Sequence, residues 1–285
     1  MASLAPRTES YSDRFRALIR SITGISLPAA KVHLIDQRLR RRVTAFGLPD
    51  TESYLRQLLD GEGMEAELRL VIDLITTNTT SFFREPEHFD ILAGTILPER
   101  LARARAGQVP RLKIWSAAAS EGAEAYTAAM VLAEEQRRGR RFDYAILGTD
   151  LSQRMIERAA AAIYATEQMA SVPPDYARRY VLSAGHPSVS GKVRIVPELR
   201  RNVRFSILNL MDATYPVARD VDVIFLRNIL IYFDPAEKER VIRQLAAHLA
   251  PGGYLIVGHS ESMIVRHPDL TQVRPTVFKK GEPRP

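Results

Sequence analysis

The chain has no cysteine. Disulfides, thiolate metal sites and cysteine nucleophiles are therefore excluded, and no metal site is expected. No apolar run in its 285 residues approaches the roughly 20 needed to span a bilayer, so membrane insertion is not expected. Residues 1–13 are polar and carry acids, which does not read as a secretory signal, and a cytoplasmic location follows by default. A G-x-G-x-x-G fingerprint is also missing, which argues against a dinucleotide site. Internal repeats and low-complexity tracts are absent too, so the chain reads as ordinary globular domains, with a monomer as the default state.

What is present divides into two styles. Up to about residue 85 the apolar pattern is helical only. Phe15, Leu18, Ile19 and Ile22 form one stripe, ended by Gly24. Val32, Leu39, Val43 and Phe46 form a second, and Leu68, Val71, Ile72 and Ile75 a third. Residues 1–85 are expected to be a small all-α domain. From residue 86 to 285, short apolar strands (113–118, 145–149, 221–226, 254–258) alternate with helices. One helix is read to hold Met155, Ile156, Ala159 and Ile163, and another to stop at Pro251-Gly252-Gly253. Such alternation gives a Rossmann-like α/β domain with a mostly parallel sheet. The rhythm breaks between about 166 and 203, where prolines and glycines separate short β-like pieces, and a small inserted β-subdomain is expected.

Four segments carry candidate chemistry. Residues 113–127, K-I-W-S-A-A-A-S-E-G-A-E-A-Y-T, run from a strand through small residues into a helix. That is the first crossover of a nucleotide-binding α/β fold, where ligands lie at the carboxyl ends of strands. Asp150 ends the second strand, 28 residues after Gly122, where an acid receives the two ribose hydroxyls of an adenosine. Its alternative role is to cap the next helix, which Ser152 could do equally well. Residues 222–235 deliver Arg227, Asn228 and Tyr232 from a buried strand. Residues 76–84, T-T-N-T-T-S-F-F-R, suit either a polar ligand-binding loop or a linker.

Together these segments resemble the CheR family, whose members methylate bacterial chemoreceptors. The resemblance rests on N-T-T-S-F-F-R (78–84), F-S-I-L-N-L (205–210), F-L-R-N-I-L-I-Y-F-D (225–234) and L-A-P-G-G-Y-L-I-V-G-H-S-E-S (249–262), in order along nearly the whole chain. It implies a helical N-terminal domain, a class I methyltransferase domain and an inserted β-subdomain. It also implies methyl transfer from S-adenosylmethionine to receptor glutamates, leaving S-adenosylhomocysteine. By motif, Asn78, Thr80 and Arg84 would line the methionine end of the cofactor, with Glu124 after the first strand. Asp150 would hold the ribose, and Asn209 and Leu210 would flank the adenine. Arg227 and Asn228 would complete the pocket, and Tyr232 would face the substrate carboxylate, with Arg84 as its catalytic partner. The family usually reads G-E-E-P-Y-S after the first strand. Here Gly122-Ala123-Glu124-Ala125-Tyr126-Thr127 loses one acid and the proline.

The net charge is +7, from 40 Lys+Arg against 33 Asp+Glu. Lys31, Arg38, Arg41 and Arg42 on the second helical stripe could dock the glutamate-rich helices of a receptor. Nucleic acid is disfavoured as a partner. Amino-methylating enzymes of that class show an N/D-P-P-Y/F-like motif where this chain has Arg227-Asn228-Ile229-Leu230, and its basic residues lack interleaved aromatics. A third reading, a cofactor- or receptor-binding module without catalysis, is motivated by Ala123 and Ala125.

Overall fold

The computed structural model describes residues 9–28, 32–76, 79–105, 107–183 and 190–282. The chain divides into two compact units, Met1–Thr77 with Tyr232–Asp234, and Asn78–Ile231 with Pro235–Pro285. No helix among the described residues is long and apolar enough to cross a membrane.

The first unit holds helices α1 (Tyr11–Thr23), α2 (Val32–Ala45), α3 (Thr51–Asp60) and α4 (Glu65–Ile75). Local chemistry sets their ends. Ser10 caps α1 by accepting the Asp13 N–H, and Gly24 closes it in the left-handed region at φ 71°. Asp50 caps α3 on the Ser53 N–H. Phe15, Ile19, Leu39, Tyr54, Leu55 and Val71 are among the side chains that close the core. One acid sits at its margin. Glu67 accepts Nε of Arg42 at 2.7 Å and is bonded by the Tyr54 hydroxyl.

Among the described residues the second unit holds ten strands: β1 (Arg111–Ala117), β2 (Asp143–Asp150), β3 (Ile163–Ala165), β4 (Val181–Ser183), β5 (Lys192–Ile195), β6 (Val203–Ile207), β7 (Val221–Leu226), β8 (Leu249–Val257), β9 (Leu270–Arg274) and β10 (Val277–Lys280). The main sheet has the order β6-β2-β1-β7-β8-β10-β9. Pairs among the first five strands are parallel, and β10 is antiparallel to both β8 and β9. Every residue of β7 is buried, as a central parallel strand covered on both faces requires. Helices α5 (Glu87–Ile91) and α6 (Leu97–Ala102) flank a π-helical turn at Leu92–Ile96. Four more follow: α7 (Ala123–Arg137), α8 (Gln153–Ala161), α9 (Pro174–Tyr180) and α10 (Pro197–Arg200). α11 (Pro235–His248) leads into β8.

The fold class matches the sequence reading, and three details differ from it. Ile163 is not on the helix with Met155 and Ala159. α8 ends at Ala161, Ala162 turns left-handed at φ 55° as its cap, and Ile163 opens β3. β3, β5 and β4 then form a separate three-stranded antiparallel sheet. α11 stops at His248 rather than at Pro251, because the residue before a proline is biased to extended backbone, and β8 begins at Leu249. The β9–β10 hairpin was not anticipated.

The Glu67 cluster yields the first prediction. Burial alone would raise Glu67, but the bonds from Arg42 and Tyr54 outweigh it and hold the carboxyl below its usual value. A depressed folded pKa stabilises the protein above the unfolded value of about 4.3 and is lost as pH falls through the folded one. Urea denaturation of the full chain should therefore show Glu67→Gln costing about 1–2 kcal/mol at pH 7. The difference should shrink below about pH 4. A difference independent of pH would assign Glu67 no charged role.

Candidate functional site

The carboxyl edge of the parallel strands is where chemistry can collect, because each strand there hands over to a loop. After β1 the chain makes a tight turn in which Ala118, Ser120 and Gly122 all have positive φ, at 62°, 50° and 89°. The Ala119 N–H donates to the Thr149 carbonyl at 2.8 Å, pinning this turn to the end of β2. A Cβ on Gly122 would lie 2.9 Å from both the Ala159 Cβ and the Phe205 ring, and one on Gly148 would lie 2.5 Å from that ring. Both glycines are thus fixed by close packing of backbone against Phe205. Asp150, the last residue of β2, accepts the Ser120 N–H at 2.8 Å and the Ser152 N–H at 3.0 Å. Two backbone donors hold its carboxylate at the mouth of the crossover, while the helix cap itself is Ser152, which accepts the Met155 N–H.

At the end of β7, Arg227 is buried, its side chain 4% exposed. It pairs with Glu124 at 2.9 Å and Glu85 at 3.1 Å, and donates to the Arg84 carbonyl. Its guanidinium also lies over the Phe89 ring, 5.7 Å from the centroid. Glu124, in the first turn of α7, accepts the Ser116 hydroxyl at 2.6 Å as well. Burial would raise Glu85, yet Arg227 beside it keeps the carboxyl below its usual value. Burial and then Arg227 push the fully buried His88 down to about 4, so it is a neutral imidazole at neutral pH. Around Arg84 the backbone is strained: Phe83 and Glu85 have φ of 51° and 53°. The Phe83 N–H is held by the Thr127 hydroxyl at 3.1 Å, and Arg84 Nη1 reaches the Thr79 carbonyl at 3.2 Å. Thr80 is half-buried on the same loop.

Asn228 is left-handed at φ 59°. The device that holds it was not legible in the sequence. Glu261 is fully buried, and its carboxylate accepts three backbone donors: Asn228 N–H and Leu230 N–H at 2.7 Å, and Gly258 N–H at 2.8 Å. A Cβ on Gly258 would come within 2.6 Å of the Asn228 amide nitrogen, so this glycine lets two loops close on one carboxylate. On the β6 side, Asn209 Oδ1 accepts the Met211 N–H at 2.9 Å, Leu210 is buried, and the Leu208 N–H bonds the Asp150 carbonyl at 3.0 Å.

The structure therefore places Thr80, Arg84, Glu124, Asp150, Asn209, Leu210, Arg227 and Asn228 within one unit: Asp150 at the end of β2, Glu124 in the first turn of α7, and the others on the loops after β6 and β7 and before α5. Tyr232 belongs to the helical unit, where its carbonyl accepts the Ser26 N–H at 2.9 Å. Asn78 and Lys31 lie outside the described residues. Of the other basic candidates, Arg41 is exposed, Arg42 is committed to Glu67, and Arg38 bonds the Ile75 carbonyl. Sequence reasoning missed Glu85 and Glu261. Glu261 stood inside the quoted 249–262 motif, but an acid after an apolar strand reads as a solvated loop residue.

Glu261→Gln would replace one acceptor oxygen by an amide NH2 facing N–H donors. Leaving buried donors unpaired costs about 1–3 kcal/mol. A loss of that size in urea denaturation is expected. An unchanged midpoint would remove the clamp from this account.

An adenosyl cofactor fits this edge. An acid ends β2, and the chain turns tightly after β1 through Gly122 into α7, which carries Glu124 in its first turn. Comparison with known proteins agrees. Residues 12–76 match the CheR methyltransferase all-alpha domain, and residues 78–278 match the CheR methyltransferase SAM binding domain. A chemotaxis protein methyltransferase of Klebsiella aerogenes is 37% identical, covering 92% of this chain and 86% of that protein. Chemotaxis protein methyltransferase 2 of Pseudomonas aeruginosa is 35% identical over 95% of this chain and 93% of its own length. The Escherichia coli chemotaxis protein methyltransferase is 35% identical over 90% and 85%. With two family domains in tandem over nearly its whole length, the chain belongs to the CheR family of S-adenosylmethionine-dependent chemotaxis methyltransferases.

Proposed function

We propose that this chain transfers the methyl group of S-adenosylmethionine to glutamate side chains on the cytoplasmic helical region of chemoreceptors, forming glutamyl methyl esters. The observation that carries the reading is the convergence of Glu124, Asp150, Asn209, Arg227 and Asn228 on the carboxyl edge of one parallel sheet in a chain of this family. In this proposal Asp150 receives the ribose hydroxyls, and Asn209 and Leu210 flank the adenine. Glu124, Arg227 and Asn228 shape the methionine end together with Asn78, Thr80 and Arg84.

The reaction needs little proton transfer. The glutamate nucleophile is already ionised near neutral pH, its ordinary pKa being about 4.3. The sulfonium supplies an activated methyl group when the cofactor is bound. What remains for the protein is alignment of a carboxylate oxygen with the methyl carbon and exclusion of water. We assign that alignment to Arg84 and Tyr232. Docking of the acidic receptor helix is assigned to Lys31, Arg38, Arg41 and Arg42. Arg41 is the most available of them among the described residues, since Arg38 and Arg42 have internal partners. The action on receptors implies a cytoplasmic location.

The departures at Ala123 and Ala125 weigh less than they seemed to. Both side chains are buried in the core, and the retained acid, Glu124, is the one that bonds Arg227. This favours a working pocket over a pure binding module.

Radiolabelled S-adenosylmethionine and receptor-containing membranes test the reading. Label on a receptor band that mild base releases is the expected result. Binding of S-adenosylhomocysteine without transfer to any receptor would overturn the substrate assignment, and loss of both would favour the binding module. Arg84→Ala and Tyr232→Phe should each lower kcat by roughly 10²-fold, the scale of lost alignment. Their melting temperatures should stay near the parent's. Unchanged turnover in both would remove them from the reacting geometry.

A further inference from the structure

Beside the Arg227 pair lies a cluster that methyl transfer does not use. Glu85, His88 and His259 each offer one ligand atom, all within 4.8 Å of one another. The His88 ring is fully buried, and its Nε2 lies 2.7 Å from the Thr276 hydroxyl. Its Nδ1 is buried without a hydrogen-bond partner, 3.4 Å from a Glu85 oxygen. His259 approaches from the open side, its side chain 61% exposed. Its Nδ1 is 3.9 Å from the other Glu85 oxygen, and its Nε2 contacts Glu87.

In His88 the far nitrogen is hydrogen-bonded with the Thr276 hydroxyl, in His259 it lies against the Glu87 carboxylate, and in both rings Nδ1 faces Glu85. Histidines that ligate metals are oriented in this way, with the second nitrogen donating to a carboxylate or hydroxyl. Two imidazole nitrogens and a carboxylate converge here, and the buried His88 Nδ1 has no hydrogen-bond partner, a need that a cation would satisfy. The spacing suits one class. Metal–nitrogen and metal–oxygen bonds of about 2.0–2.2 Å at tetrahedral angles separate neighbouring donors by roughly 3.4 Å. The His88–Glu85 separation already has that value, and the exposed His259 can close the remainder. Two imidazoles among three donors select against magnesium and calcium, which take oxygen.

We propose that Glu85, His88 and His259 form a three-ligand site for a divalent cation of the zinc class, with the fourth position open to solvent beside His259. Glu85 also serves Arg227, so its one negative charge would be divided between the ion and a guanidinium, which makes the site exchangeable rather than structural. Occupancy would loosen Glu85 from Arg227 and so reach the Glu124 end of that pair.

The test is calorimetric titration of zinc chloride into the full chain without a histidine tag, paired with visible absorption of the cobalt(II) form. One ion per chain is expected, with the intense absorption of four-coordinate cobalt. His259→Ala, a change at an exposed side chain, should weaken binding at least tenfold and dim that absorption. His267→Ala, at a histidine outside the cluster, should do neither. Absence of one-to-one binding, or affinity unchanged in His259→Ala, would overturn the proposal whatever His88→Gln does to folding.

Discussion

The buried pairing of Arg227 with Glu85 and Glu124 organises the methyltransferase unit. Taking three charges out of water is expensive, and it is tolerated only when each finds partners of good geometry. Here the guanidinium meets two carboxylates, one backbone carbonyl and an aromatic face. The consequence is topological. Arg227 directly follows β7, Glu124 lies in the first turn of α7, and Glu85 belongs to the loop that precedes α5. One side chain thereby fixes three segments separated by 103 and 142 residues in sequence. The same arrangement orients the edge proposed to meet the cofactor. Breaking any member strands a buried charge, so the cluster is a constraint on folding as much as on function.

Glu261 plays the complementary part with backbone rather than charge. Its three accepted N–H bonds stitch the β7 loop to the turn after β8. Burial pushes its carboxyl above the usual range while those donors pull the other way. A carboxylate in place of a water cluster gives the loop one geometry instead of several, which is what preorganisation asks of a binding edge.

The helices of the first unit and the parallel core were legible because periodicity is a local signal. Phe15, Ile19 and Val71 repeat at helical spacing and are buried, and the unbroken apolar run of β7 is buried throughout. Asp150 could be singled out because the fold puts an acid at a set distance from a glycine turn, and Glu124 through the family resemblance of the motif after the first strand. What could not be read depended on distant partners. Ile163 continues the apolar stripe of α8, yet Ala162 turns left-handed and β5 captures it. The β9–β10 hairpin is defined by pairing with β8, not by its own alternation. Glu85 and Glu261 look like solvent-facing acids until the loops they serve are brought to them.

Backbone strain follows the same division. Among the described residues, Phe83, Glu85, Ala118, Ser120, Ala162 and Asn228 are the non-glycine residues with positive φ, and all but Ala162 lie in the loops of the candidate site. Each such conformation costs on the order of 1–3 kcal/mol and persists only where the surroundings enforce it. The enforcing bonds are identifiable: Thr127 on Phe83, Arg227 on Glu85, Asp150 on Ser120 and Glu261 on Asn228. Two of these restraints come from Glu261 and from Arg227, which is itself held by Glu124. The strain is therefore stored in the loops of the candidate site, and buried polar groups hold it there. A sequence with apolar residues at Arg227 and Glu261 would have no means to hold Asn228 and Glu85 in these conformations, and it would leave Glu85 and Glu124 without their cation.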